Sequence, residues 1–447
     1  MRDLTKLQIS LLALILLTSC STRTSSLSKF NPPANQTPKF TLSDYKSPEN
    51  RSNHQRKDIS VVVTISGGGH RAGNFGVGVL KALEKISCKD KTINLLKEID
   101  YFSTVSGGGF AAGTYISTLY DHLSSGNSFE SFSFSSIIQN AETGVSRNLE
   151  RGYHNILLKA LANIRSIGVL DRGDFLERQF DWKILGAKKR GKSIKLKDIL
   201  IPVESSSIVK MPIWVANSSI YENGGIFPFI PSTFERYRVK SYTHQLKKVT
   251  AADENLLSRT EIGDIPLSIG LKASASFPNV VPATTLESSY DPLNKYIHLF
   301  DGGLSDNLGI ITGLKILLEN QNAYKLLIVI DAYKGQFEPF SDQEGSPTLL
   351  EISLKTTVIS LDAFRSRHHW TINQIKESKN NMGGPINVVY LNFDDLPEDI
   401  FKKVTAIGTD FNISPEQQDE LFEAGKVIVN KHKHDLLTAF LKDDFCK

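Results

Sequence analysis

Three apolar runs that each break off into glycines constrain the fold of this chain most. Ile59 to Ile65 leads into Ser66-Gly67-Gly68-Gly69-His70-Arg71-Ala72-Gly73, and Ile99 to Ser103 into Thr104-Val105-Ser106-Gly107-Gly108. Tyr296 to Phe300 leads into Asp301-Gly302-Gly303. A short, unalternating run with Val61-Val62-Val63-Thr64 at its centre reads as a parallel strand buried on both faces. After the first glycines Val77, Leu80, Ala82, Leu83 and Ile86 recur at helical spacing. Ile99 to Val105 reads as the next strand and Phe110 to Leu119 as the next helix. Strand, glycine turn and helix, repeated, build βαβ units with right-handed crossovers, so the fold class is α/β with a mainly parallel sheet.

Further along, Pro212 to Ser219, Lys325 to Ile330 and Ile386 to Leu391 read as strands, and Asn148 to Ile164 and Phe175 to Phe180 as helices. Ser124 to Ser136 reads as a loop or lid, and Gly186 to Lys197 as a basic loop. Its cluster Lys188-Lys189-Arg190-Lys192 suits solvent or a lipid head group. Ser414-Pro415-Glu416-Gln417 opens a terminal helix: Ser at N-cap, Pro at N1 and Gln at N3 form a capping box. There is no internal repeat.

The N-terminus carries an address. Arg2 and Lys6 precede the apolar run Leu11 to Leu17, too short to span a bilayer and followed by Thr18-Ser19-Cys20. This is a secretory signal over residues 1–19, and Leu17-Thr18-Ser19-Cys20 resembles a bacterial lipobox, with Cys20 as the lipid-bearing residue. A plain signal peptide or an uncleaved anchor is the alternative. Two or more acyl chains make such an anchor stable. Ser21, where an aspartate would favour the inner membrane, points to the outer membrane, facing the periplasm. Residues 20–57 are rich in Ser, Thr, Asn, Pro and charge and read as a disordered tether. Cys88 and Cys446 could pair or remain separate thiols. At 447 residues with 40% hydrophobic and 22% charged content, the rest can bury a large core, and a net charge of +4 gives no reason to expect nucleic acid.

The three glycine clusters also offer the parts of an acyl-transfer site. Gly67, Gly68 and Gly69 sit where a strand hands over to a helix, so that successive N–H groups can converge on an oxyanion. The same letters match a Gly-x-Gly-x-x-Ala dinucleotide loop, but that motif wants an acidic residue closing the second strand, and Val105-Ser106-Gly107 stands there instead. Ser106, followed by three glycines, fits a nucleophile elbow, although Thr104 replaces the usual upstream glycine. Asp301 can take a proton from a serine or orient a histidine. Its bland alternative is helix capping, a task Asp306 or Asn307 could equally perform. Among ten histidines, His70 lies in the glycine loop and His298 near Asp301, but on an alternating strand His298 faces away from Asp301. His368 and His369 fall in a probable helix, where surface or packing roles are commoner. No spacing suggests a metal site.

Together these residues resemble the patatin-like phospholipases and the related cytosolic phospholipases. Ser66-Gly67-Gly68-Gly69-His70-Arg71-Ala72 is similar to their oxyanion loop, the Arg-Ala ending closer to the cytosolic branch. Ser106 matches the nucleophile, Asp301-Gly302-Gly303 with Asn307 the Asp-Gly-Gly motif, and Ala273-Ser274-Ala275-Ser276-Phe277-Pro278 the Ala-Ser-x-Ala-x-Pro stretch between them. The match runs from about Asp58 to Tyr333. It implies a patatin-like three-layer domain over 58–335 and a mostly helical C-terminal extension over 336–447. It also implies a histidine-free Ser106–Asp301 dyad acting on phospholipid or lysophospholipid esters, with no cofactor and no calcium. Arg71 is then a possible phosphate contact, a buried salt bridge being its alternative. An acyltransferase, or a lipid-binding lipoprotein that has lost catalysis, are the other classes open to such a chain.

Overall fold

The computed structural model describes residues 56–138, 172–201, 211–333 and 386–441, less 89–90, 245–246, 251–255, 279, 292, 321, 323 and 410–412, together with 365–366 and 370–371. The signal segment, most of the tether, Cys20, the helix expected at Asn148 to Ile164, His368, His369 and Cys446 lie outside the described residues.

The first expected unit forms as read. β1 (Ile59–Ile65) is buried along its whole length and passes through the glycines into α1 (Gly69–Leu83). A second unit follows, β2 (Tyr101–Val105) and α2 (Gly108–Ser124), again with every strand residue buried. β3 (Ile213–Ile220), β4 (Ile226–Pro228), β5 (Val239–His244) and β6 (Lys247–Thr250) come next, then α3 (Leu267–Ser274). β7 (Thr284–Asp291) and β8 (Asn294–Asp301) form a hairpin, followed by α4 (Ile310–Glu319) and β9 (Tyr324–Asp331). The described chain closes with β10 (Ile386–Asn392) and the helices α5 (Glu398–Ala406), α6 (Pro415–Lys431) and α7 (Lys433–Leu441).

One ten-stranded sheet runs β10-β9-β1-β2-β3-β8-β7-β5-β6, with β4 on β3. The run from β10 to β3 is parallel, and from β3 to β6 each neighbour is antiparallel. Parallel strands carried by helical crossovers are covered on both faces, which is why β1, β2 and β9 read as continuous apolar runs. Parallel strands also end on one edge of the sheet, and the two glycine turns after β1 and β2 therefore lie side by side.

Two expectations change. Ile86 continues the apolar spacing of α1 but starts a two-stranded hairpin, Ile86–Cys88 with Lys91–Ile93. The basic stretch at 186–197 contains a helical turn, Ala187–Arg190, set between two left-handed glycines. Arg190 there is no head-group contact: it bonds Asp121 at 2.5 Å and the Leu185 carbonyl. The strand expected at Ile386 to Leu391 forms as β10 and pairs with β9 along seven residues. Helix α6 opens on the expected capping box, with Gln417 N–H to Ser414 Oγ at 3.2 Å and Ser414 N–H to Gln417 Oε1 at 2.9 Å. Among the described residues no helix is long and apolar enough to cross a membrane.

Candidate active site

Register brings the parts together. Val105, the last residue of β2, lies beside Asn217 of β3, and the next residue of β3, Ser218, lies opposite Asp301 of β8. Ser106 leaves β2 toward that point. Its φ of 49° is left-handed, and among described non-glycine residues only Arg238 shares such a φ. A conformation of this kind costs about 1–3 kcal/mol and persists only where its surroundings over-determine it. Here the Ser106 N–H donates to Ser274 Oγ at 2.9 Å, and its carbonyl accepts from Gly109 N–H at 2.9 Å. Gly107 is required by contact, because a Cβ there would lie 2.0 Å from the carbonyl oxygen of Gly69. The elbow and the first glycine loop touch backbone to backbone.

Thr104 does not spoil the elbow. It is fully buried, and its hydroxyl accepts from the Trp214 indole N–H at 2.8 Å. Gly109 is required by a different neighbour: a Cβ there would sit 2.6 Å from Leu271 Cδ1 but at an ordinary 3.5 Å from Thr104 Oγ1.

Asp301 is 4% exposed and accepts hydrogen bonds from the Ser106 side chain and, at 2.8 Å, from the Gly303 N–H. Burial pushes its carboxyl up to about 6, against the opposing pull of those two bonds. The helix-capping role falls elsewhere: Asp306 accepts from Leu308 and Ile311 N–H groups at 3.1 and 2.7 Å, at the start of α4. Neither nearby histidine joins Asp301. His70 is fully buried against Phe110, ring centroids 5.3 Å apart, and burial lowers it to about 4, which keeps it neutral. His298 Nδ1 lies 2.6 Å from Glu222 Oε1.

The glycine loop divides. Gly67 is no oxyanion donor, contrary to the sequence expectation, because its N–H donates to the Asn307 carbonyl at 3.0 Å. Gly68 and Gly69, at φ 142° and 59°, follow it into the positive end of α1, and their N–H groups meet no backbone carbonyl among the described residues. Arg71 turns into the fold. It is 4% exposed, and Nε and Nη1 donate to the carbonyls of Ala332 and Ile407 at 3.0 and 2.9 Å. It ties the glycine loop to the end of β9 and to the chain after α5, and a substrate phosphate would compete with those bonds.

Sequence reasoning missed the buried polar layer beneath the elbow. The Asn217 amide donates to Ser103 Oγ and the Thr104 carbonyl at 2.9 and 3.1 Å and accepts from Thr312 at 2.7 Å. Polar residues inside otherwise apolar strands were its signal. Among the described residues, no group of three or more His, Cys, Asp and Glu could hold a metal ion.

Compared with known proteins, residues 63–313 match the family model of the patatin-like phospholipases, and the chain belongs to that family. No curated protein matches the sequence. Among solved structures, human GIVD cytosolic phospholipase A2 is similar at 12% identity and a TM-score of 0.47, over 90% of this chain and 63% of that one. Its complex with methyl gamma-linolenyl fluorophosphonate is similar at 12% identity and a TM-score of 0.45, over 89% and 61%. The chain thus spans about three-fifths of the length of the solved structures it matches.

Proposed function

We propose that this member of the patatin-like phospholipase family is a serine acyl-hydrolase acting on phospholipid or lysophospholipid esters. One observation carries the reading: a serine held in a left-handed turn hydrogen-bonds a buried carboxylate whose proton affinity is raised. Ser106 Oγ attacks the ester carbonyl as its proton passes to Asp301. The N–H groups of Gly68 and Gly69 stabilise the oxyanion, each such donor being worth about 10²–10³ in rate. Asp301 then protonates the departing alkoxide; in the second half it takes a proton from water, which attacks the acyl-enzyme, and returns it to Ser106 Oγ as the acyl–oxygen bond breaks and a fatty acid leaves. A carboxyl near 6 is mostly ionised at neutral pH yet basic enough to serve as the proton acceptor.

The proposal includes location. Arg2, Lys6, the apolar run Leu11 to Leu17 and the lipobox ending at Cys20 support a lipid-anchored protein of the bacterial envelope, at the outer membrane facing the periplasm. Membrane phospholipids would then be within reach of the anchored enzyme.

The test incubates the purified protein with mixed phospholipids and lysophospholipids and identifies products by mass spectrometry. Fatty acid and deacylated lipid are expected. A new ester in place of fatty acid would make the protein a transferase. No turnover, with no labelling of Ser106 by a fluorophosphonate, would leave a lipid-binding protein on this fold.

A further inference from the structure

We infer that Ser274, the last residue of α3, is a positioning residue for acyl transfer, its hydroxyl oxygen holding the Ser106 backbone in the conformation that aims the nucleophile at Asp301. The inference rests on the Ser106–Asp301 reading above and adds a side chain that touches neither substrate nor reacting atoms. A residue at φ 49° turns its N–H out of both the β2 ladder and the α2 helix, so the donor must find a partner outside regular structure. It finds Ser274 Oγ at 2.9 Å. Ser274 is fully buried, so water is poorly placed to substitute.

The same short segment grips the other half of the dyad. The Ser274 carbonyl accepts from Gly302 N–H at 3.2 Å, and the Ser276 carbonyl accepts from Asp301 N–H at 2.9 Å. Ser274 therefore holds the nucleophile through its side chain and the strand end carrying the base through its backbone. The segment is itself fixed: Lys272 Nζ donates to the Ala283 carbonyl at 3.0 Å, and Ser276 Oγ to the Lys272 carbonyl at 2.8 Å. Without Ser274 Oγ, Ser106 loses the bond that offsets its strain and can relax toward an ordinary φ, carrying its hydroxyl away from Asp301 and from Gly68 and Gly69. Asp301 keeps its backbone bonds, so the damage falls on alignment.

Ser274→Ala and Ser274→Cys test this, the latter nearly filling the same volume with a weak acceptor. The measurements are kcat and KM on a soluble chromogenic ester, the rate of fluorophosphonate labelling, and thermal unfolding. Loss of one buried bond to a strained donor should lower kcat by about 10- to 100-fold. KM should stay within about twofold, because an interaction felt only in alignment leaves ground-state binding alone. Labelling should slow by a similar factor. A folded Ser274→Ala protein with wild-type kcat would overturn the inference, as would a change confined to KM. Loss of the fold in both variants would assign Ser274 to core packing and also overturn it. A wild type that neither turns over ester nor labels would instead overturn the parent reading.

Discussion

Asp301 is held 4% exposed with its carboxyl pushed up to about 6, so folding works against its ionised form, and Asp301→Asn should relieve that opposition. From the ordinary 3.8 to about 6 is roughly 2.2, and at about 1.36 kcal/mol for each tenfold change in proton affinity the gap is about 3 kcal/mol. Asn keeps an oxygen to accept from Gly303, and its amide can donate to Ser106, so little of this gain should be lost to unsatisfied groups. Below about pH 4 both states of the wild type hold the proton and the two proteins should be about equally stable. As pH rises from about 4 to about 6 the unfolded chain releases its proton first, so the wild type loses stability across that window and is level above it. Asn has no proton to lose. Relative to wild type, the variant should therefore gain nothing near pH 4 and about 4 °C in Tm at neutral pH for a chain of this size. Its turnover should fall by about 10²–10⁴, the usual contribution of a general base. Thermal unfolding of both proteins across this range, at fixed ionic strength, reads the difference directly. A variant no more stable than wild type at neutral pH, or a gap that ignores pH, would refute the reasoning.

Other outcomes follow from the same geometry. Wild-type kcat/KM should rise with pH around a midpoint of about 6 and then level off, as expected of an essential base in the free enzyme, whereas a midpoint near 4 would point to a solvated carboxylate. Ser106→Ala and Asp301→Asn should each cost nearly as much as both together, measured as steady-state turnover, while His298→Ala keeps its fluorophosphonate labelling. Gly69→Val, forced to φ 59°, should reduce the rate by about 10²–10³ through the oxyanion hole, read by labelling kinetics on folded protein. Arg71→Ala should lower stability by about 2–4 kcal/mol, from two buried charge-assisted bonds, in denaturant titration. Cys20→Ser should abolish incorporation of a labelled fatty acid, and label retained in that variant would remove the anchor.

What the sequence discloses here is what period and composition encode. The runs at Ile59 to Ile65 and Lys325 to Ile330 are buried on both faces, so nothing but a central strand suits them. Ser414 to Gln417 is a local motif and closes locally. Ile86 carried the helical spacing one turn too far, because apolar residues of a hairpin and of a helix end look alike over so short a span. Gly67 looked equivalent to its neighbours as a letter, but a long-range bond to Asn307 uses its N–H. Arg71 shows the same limit: it donates to the carbonyls of Ala332 and Ile407, and a carbonyl leaves no trace in the identity of the residue that bears it. Thr104 reads as a defect until Trp214 is placed beside its hydroxyl.

Asp301 shows why a strand-end carboxylate is legible while its partnership is not. Its strand, β8, runs antiparallel to β3, so its C-terminal end points opposite to that of β2, which carries Ser106. The end reaches Ser106 because β3 continues three residues beyond its last pair with β2, at Asn217, and β8 joins that overhang. Leu299 pairs with Ile220, Phe300 with Ser219 and Asp301 with Ser218, so β8 descends toward the edge and stops level with the elbow. A one-residue slip of β8 against that overhang would turn Asp301 to the opposite face, since side chains alternate along a strand. The alternation that places Asp301 beside Ser106 sends His298, three residues earlier, to Glu222 instead. That His298 does not face Asp301 is thus a consequence of register, and in the proposed mechanism the raised proton affinity of the buried carboxylate takes over the task an imidazole would otherwise perform.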